Sequence, residues 1–297
     1  MIDIRAETFE GSFNFAPHYH HVNGFEMHFV DEGRGEPIVL VHGDPTWGYL
    51  YRTFIPILSQ HRRCIVPDHM GMGKSGIPRN PYPYRLRHHV ANLEALLLHL
   101  DLHQMTLVLH DLGGPVGLGF ATRHPDRIKR LVLMNTWAFA PCPGGPLPRL
   151  LELIRSERGE RFVLEKNGYL EPALVGTTHR PENLTKTVLD AYRAPFPTPE
   201  SRLALLCWSR DIPVHETDPS YLEMKRIEEA LVRFIGTPIL LVWGMRDPVL
   251  PESVLRTWQR IYPQATAAEI EDASHFLQED APQRIMLCIA EFLEAHP

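Results

Sequence analysis

Short apolar runs recur along the chain: Pro37-Ile38-Val39-Leu40-Val41, Cys64-Ile65-Val66-Pro67, Thr106-Leu107-Val108-Leu109, Leu131 to Met134 within a predicted strand from Ile128, and Pro238-Ile239-Leu240-Leu241-Val242. Each is bounded by turn residues and lacks polar alternation, the pattern of strands covered on both faces. Ala267 to Ile270 predicts a last strand. Gly24 to Val30 alternates apolar and polar positions instead, which predicts an edge strand. Helical spacing appears between these runs. Val90, Leu93, Leu97 and Leu100 lie on one face of a predicted helix from Tyr84 to Leu100, and Tyr49–Leu58, Gly113–Arg123 and Pro282–Glu294 also read as helices. Strands alternating with helices predict an α/β fold, a mostly parallel sheet flanked by helices on both faces.

From Trp137 to Phe234 the texture changes. A proline-glycine segment, Pro141 to Pro148, leads into helical pieces at Arg149–Arg158, Asn183–Arg193, Ser201–Ser209 and Ser220–Phe234, with no strand-like run among them. The pattern predicts a core domain over residues 1–136 and 235–297, with a helical cap over residues 137–234 inserted after the sixth strand.

A chain of 297 residues, 44% hydrophobic, can bury a large core. The net charge of −6 with mixed signs argues against nucleic acid or an anionic membrane as partner. Cys64, Cys142, Cys207 and Cys288 are widely spaced and form no C-x-x-C pair, so they read as reduced thiols of a cytoplasmic protein. No secretory signal and no membrane-length apolar run is expected. Gly71 to Gly76 invites a phosphate-loop reading that fails, because the position needing the first glycine holds Asp68. The cluster His18, His20 and His21 reads as surface rather than metal site, and no cofactor or metal is expected.

The chemistry concentrates at Thr106 to Pro115, where a buried strand ends in Asp111 and Gly113-Gly114 open a helix. Strand, sharp turn and helix form the nucleophile elbow of α/β-hydrolases, with Asp111 in the serine position and Leu109 where the first glycine stands. Two later loops supply partners: Asp247 after the strand ending at Gly244, and His275 before the last helix. Nucleophile, acid, histidine is the order of that fold, and all three fall at the carboxyl ends of strands, where such sheets build their sites. Asp111 reads as nucleophile, His275 as base and Asp247 as the acid orienting it. Asp111 as a helix cap and Asp247 as a turn residue are the ordinary readings of each residue taken singly. A carboxylate can attack saturated carbon and form an alkyl ester, which His275 then hydrolyses by drawing a proton from water. The backbone N–H groups of Asp44 and Leu112 are the expected oxyanion hole. The Asp44 side chain either helps hold that water or serves its tight loop. His42 and His110 are expected to brace loops.

These residues lie in stretches that resemble haloalkane dehalogenases: His42 to Arg52, Pro67 to Ser75, His110 to Gly114, Gly244 to Asp247 and Ala273 to Phe276. The likeness covers nearly the whole chain and is weakest over residues 137–234. It implies the α/β-hydrolase fold, the same Asp111, His275 and Asp247 roles, a small apolar substrate, and a monomer or small homo-oligomer. That family generally has tryptophan directly after the nucleophile as one halide donor and, as the second, asparagine after the His-Gly pair or a cap tryptophan. Here the positions after the nucleophile and after the His-Gly pair hold Leu112 and Asp44. Trp47, Trp137 and Trp208 are candidate pocket residues that could replace the missing donors, packing being their ordinary role. Dehalogenase-like substitution at carbon leads the reading. The β-lactone decarboxylases of olefin biosynthesis look similar in Cys64 to Met72, Asn135 to Phe139 and Ser209 to Pro213. Epoxide hydrolases use cap tyrosines, for which Tyr169, Tyr192 and Tyr221 are candidates, and a ligand sensor on the hydrolase fold is the non-enzymatic alternative.

Overall fold

The computed structural model describes residues 4–78, 84–141 and 147–297. The apolar runs become strands: β1 (Pro17–Val22), β2 (Phe25–Gly33), β3 (Pro37–Val41), β4 (Arg63–Pro67), β5 (Met105–Asp111), β6 (Ile128–Thr136), β7 (Ile239–Gly244) and β8 (Thr266–Ile270). They form one sheet in the order β1-β2-β4-β3-β5-β6-β7-β8, antiparallel at β1, β2 and β4 and parallel from β4 onward. β5 is central and buried at every position, which is why it reads as an unbroken apolar run.

Two expectations need correction. β2 is not the edge, because β1 pairs with it antiparallel from Pro17↔Val30 to Val22↔Phe25. β1 holds His18, His20 and His21, and most of its residues are at least partly solvent-facing, so it carries no apolar signal. His18 and His21 are exposed, while the His20 ring stacks on His99 with centroids 3.7 Å apart. The stretch Tyr49–Leu58 is two short pieces, Gly48–Tyr51 and Ile55–Leu58, rather than one helix. Pro56 explains the break: it has no N–H to give a preceding turn, so it opens the second piece.

Between β6 and β7 the chain forms helices Leu147–Arg155, Glu157–Leu164, Leu170–Gly176, Lys186–Arg193, Leu203–Asp211 and Tyr221–Ala230. The helix expected over Arg149–Arg158 divides at Ser156, whose hydroxyl accepts the Gly159 N–H and caps the second helix. Leu170–Gly176, which buries Leu170 and Leu174, has no counterpart among the helices expected from the sequence. Cys142 and most of the proline-glycine segment lie outside the described residues. Among the described residues, no helix is long and apolar enough to cross a membrane, and no group of three or more His, Cys, Asp or Glu could hold a metal ion.

The Gly71–Gly76 loop is filled by the Asp68 carboxylate. It accepts N–H groups from Gly48 (2.7 Å) and Lys74 (2.8 Å) and contacts His28 Nδ1 (2.7 Å). A buried anion in the loop's own cradle leaves no place for a phosphate.

Candidate active site

β5 delivers Asp111 to the carboxyl end of the sheet in a left-handed conformation, φ 49°, which a non-glycine residue adopts only under constraint. Thr136 at the end of β6 supplies part of that constraint by donating its hydroxyl to the Asp111 carbonyl at 2.5 Å. The next residues enter helix Gly113–Arg123, so the carboxylate sits at a helix N-terminus, where a negative charge is favoured. The loop after β3 closes over it, and the Asp44 N–H donates to Asp111 Oδ1 at 2.9 Å. A Cβ on Gly43 would overlap the Asp111 carboxylate. Gly43→Ala is therefore expected to displace the loop, costing on the order of 1–3 kcal/mol of stability and most of the activity. Thermal unfolding together with steady-state kinetics checks this.

The three predicted residues converge. His275 Nδ1 lies 2.8 Å from Asp247 Oδ2, and its Nε2 lies 3.4 Å from Asp111 Oδ2. All three are buried. Burial opposes the charge on His275, but the carboxylates of Asp247 and Asp111 outweigh it and raise the imidazole to about 10. Burial likewise opposes ionisation of Asp111, yet His275 and the Leu112 N–H hold its carboxyl below the usual range. Asp247 is lowered against burial by His275 and by the N–H groups of Leu250 and Val249. The resting site is thus an imidazolium between two carboxylates. Neutralising Asp111 would remove one of those charges and lower the imidazole pKa.

Supporting residues fix this arrangement. His110 Nε2 donates to the His275 carbonyl at 2.8 Å, and burial keeps its ring neutral, with a pKa of about 4. His42 Nε2 accepts the His69 N–H at 3.0 Å. The Asp280 carboxylate accepts the Ser274 N–H at 2.8 Å and pins the loop that carries His275. Asn135, near the end of β6, also takes part, a role that no motif in the sequence signals. Its Nδ2 donates to Asp247 Oδ2 at 2.7 Å while its Oδ1 accepts the Gly244 N–H at 2.7 Å. Asn135→Asp would set two carboxylates against each other and force one to hold a proton. The expected loss in kcat/KM is about tenfold or more, which a kinetic comparison with Asn135→Ser would isolate from simple packing effects.

A cavity of about 90 Å³ lies against Asp111 and His275, and its apolar wall includes Leu112, Trp137, Leu151, Ile212 and Phe276. Leu150 also lines it while remaining 39% exposed, which marks the mouth. A larger groove of about 870 Å³, lined by Phe9, Lys186 and Arg193 among others, contains none of the three converging residues.

Of the tryptophans expected at the pocket, only Trp137 lines this cavity, and its buried indole N–H has no partner among the described residues. Trp47 is corrected to a packing residue. Its indole donates to the Ala191 carbonyl at 3.0 Å, and its ring packs with Phe9, Phe13 and Tyr49. Trp208 is corrected likewise, since it stacks flat on His89 with centroids 4.4 Å apart. Of the candidate tyrosines only Tyr169 reaches the cavity. Tyr192 donates to Glu279 at 2.5 Å, within a cluster that includes the paired Arg52, and Tyr221 opens helix Tyr221–Ala230.

The Tyr169 hydroxyl donates to Asp44 Oδ2 at 2.5 Å, and Ser209 Oγ donates to the same oxygen at 2.9 Å. Asp44 is 7% exposed, lines the cavity, and its Oδ1 has no partner among the described residues. Sequence reasoning named Asp44 for its N–H and left its side chain open, because both hydroxyls come from distant parts of the chain.

Residues 36–282 match the alpha/beta hydrolase fold family. The chain belongs to the α/β-hydrolase family. It is an enzyme of the haloalkane dehalogenase-like group, whose named relatives divide between two activities. It is 38% identical over 283 residues to the cis-3-alkyl-4-alkyloxetan-2-one decarboxylase of Shewanella oneidensis, spanning 94% of this chain and 88% of that protein. It is 32% identical over 268 residues to haloalkane dehalogenase 2 of Mycobacterium tuberculosis, spanning 89% and 90%. Among solved structures, the haloalkane dehalogenase DatA from Agrobacterium tumefaciens C58 superposes with a TM-score of 0.86 at 27% identity, covering 98% of this chain and 100% of that one. The α/β-hydrolase fold with a mostly parallel sheet, expected from the sequence, is thereby established.

Proposed function

We propose that this α/β-hydrolase is a cytoplasmic enzyme that opens and decarboxylates a cis-3,4-dialkyl β-lactone, using Asp111 as nucleophile under a helical cap formed by residues 137–234. One observation carries the choice of leaving group: Asp111 faces the apolar side chain of Leu112 and the carboxyl of Asp44 with its Tyr169 hydroxyl. A departing halide wants N–H donors, which the Leu112 side chain does not supply. A departing oxygen of a strained ring needs no such halide cradle. Identities of 38% and 36% to oxetan-2-one decarboxylases support the same reading.

The steps balance without water. An Asp111 oxygen attacks the ring carbon bearing oxygen, and the ring C–O bond breaks, leaving a free carboxylate on the neighbouring carbon. That carboxylate then departs as carbon dioxide. Its bonding pair becomes the alkene π bond, the ester C–O bond breaks, and Asp111 regains its carboxylate. Inversion in the first step followed by anti departure in the second converts a cis lactone into a Z alkene.

A second reading, hydrolytic dehalogenation, is favoured by the unpartnered Trp137 indole N–H in the cavity, which offers one halide donor. There the ester must be cleaved by water activated by His275. A panel of cis-β-lactones, bromoalkanes and epoxides, scored by product, separates the readings. Z alkene and carbon dioxide from the lactone are expected; a β-hydroxy acid from the lactone, or turnover of bromoalkanes alone, would contradict the proposal.

A further inference from the structure

Asp44 presents an uneven carboxyl. Oδ2 accepts two hydroxyls, from Tyr169 and Ser209, whereas Oδ1 is buried and unpartnered in the wall of the cavity that holds Asp111. An acceptor already filled by two donors cannot also carry the acid proton, so in the neutral form that proton sits on Oδ1. A buried ionised oxygen without a partner would be costly. A buried O–H whose acceptor arrives with the substrate is not.

We infer that Asp44 is a second catalytic carboxyl, a neutral acid whose Oδ1–H is hydrogen-bonded to the ring oxygen as it departs under attack by Asp111. This rests on the reading that the leaving group is a carboxylate. Burial drives the Asp44 carboxyl up to about 7; the Tyr169 hydroxyl opposes that rise, the Asp111 carboxylate adds to it, and Ser209 and His275 oppose it. These four are the groups that face Asp44: Asp111 from the end of β5, His275 from the loop after β8, Tyr169 before helix Leu170–Gly176, and Ser209 within helix Leu203–Asp211.

The high pKa gives the arrangement a specific use. An aliphatic carboxylic acid ionises near pH ~4, well below Asp44. When the ring C–O bond breaks and its electron pair stays on oxygen, Asp44 stabilises the new carboxylate by a hydrogen bond and keeps its proton. The substrate carboxylate remains ionised and free to lose carbon dioxide, which a full proton transfer would prevent. Tyr169 and Ser209 are positioning residues that hold Oδ2 and direct the proton to Oδ1.

The sign follows for pH. Donation requires protonated Asp44, so kcat/KM for lactone opening should fall above about 7, by about tenfold per pH unit. This limb is separate from that of His275, near 10. Asp44→Asn, whose amide donates at every pH, should open the lactone without that limb. Tyr169→Phe removes a hydrogen bond that favours the ionised form and should move the limb to higher pH, a shift that a purely structural role would not give. An infrared titration of the free protein supplies a readout independent of substrate. A carboxylic-acid C=O band should vanish as pH rises through the same range, move upward in Tyr169→Phe and be missing from Asp44→Asn. A limb that persists in Asp44→Asn, or stays in place in Tyr169→Phe, overturns the inference. So does a band that survives in Asp44→Asn. A wild type that leaves lactones untouched overturns the substrate reading instead, and the protonation of Asp44 is then decided by the infrared band alone.

Discussion

Asp111→Asn is expected to lose turnover of β-lactone and bromoalkane alike by about 10⁴-fold or more, equivalent to about 5.4 kcal/mol of transition-state stabilisation. The amide is too weak a nucleophile to displace either leaving group, while asparagine tolerates the positive φ of the elbow and fits the same space. The loss should therefore come without unfolding. The variant also tests the electrostatics of the resting site. Asp111 is one of two carboxylates holding the His275 imidazole near 10, so its removal should lower that pKa toward the ordinary histidine range. Imidazole proton resonances followed through a pH titration report this directly. Retained turnover in a folded Asp111→Asn protein would remove the nucleophile from the scheme.

His275→Gln separates the two kinds of substrate. With a bromoalkane, Asp111 still forms its ester, but no base remains to activate water, and hydrolysis should slow by about 10²–10⁴-fold. Intact-protein mass spectrometry should then find the alkyl adduct in near-stoichiometric yield. With a β-lactone the ester has its own exit through loss of carbon dioxide, so alkene release should continue and no adduct should build up. The first step still slows, because His275 is the cation that keeps the buried Asp111 ionised. Equal trapping by both substrates would mean that the lactone route also runs through water.

Local and repeated signals made the fold readable. Asp111 and Asp247 each follow a strand buried along its whole length, whereas His275 follows the partly exposed β8. Chain order alone then brought Asp111, Asp247 and His275 to one end of the sheet. β1 escaped because its exposed face is written in histidines and a proline, and because antiparallel pairing to β2 leaves no apolar trace. Tyr49–Leu58 misled because Pro56 sits inside an otherwise helical pattern. The tryptophans could not be sorted from sequence. Trp47, Trp137 and Trp208 are all buried, and only three-dimensional packing separates the cavity wall from the core. The Asp44 cluster was hidden for a stronger reason, since its partners Tyr169 and Ser209 lie 125 and 165 residues further on. No periodicity or motif encodes a contact across that distance.

The water-free cycle makes one demand on Asp111 that can be read from the protein itself. Hydrolysis of an Asp111 ester places an oxygen from water into that carboxylate, because water attacks the side-chain carbonyl carbon. Decarboxylative release returns the original oxygens. After many turnovers of a cis-β-lactone in heavy-oxygen water, the peptide carrying Asp111 is expected to keep its ordinary mass, while the same protein turning over a bromoalkane would gain heavy oxygen there. Heavy oxygen in Asp111 after lactone turnover would contradict the account.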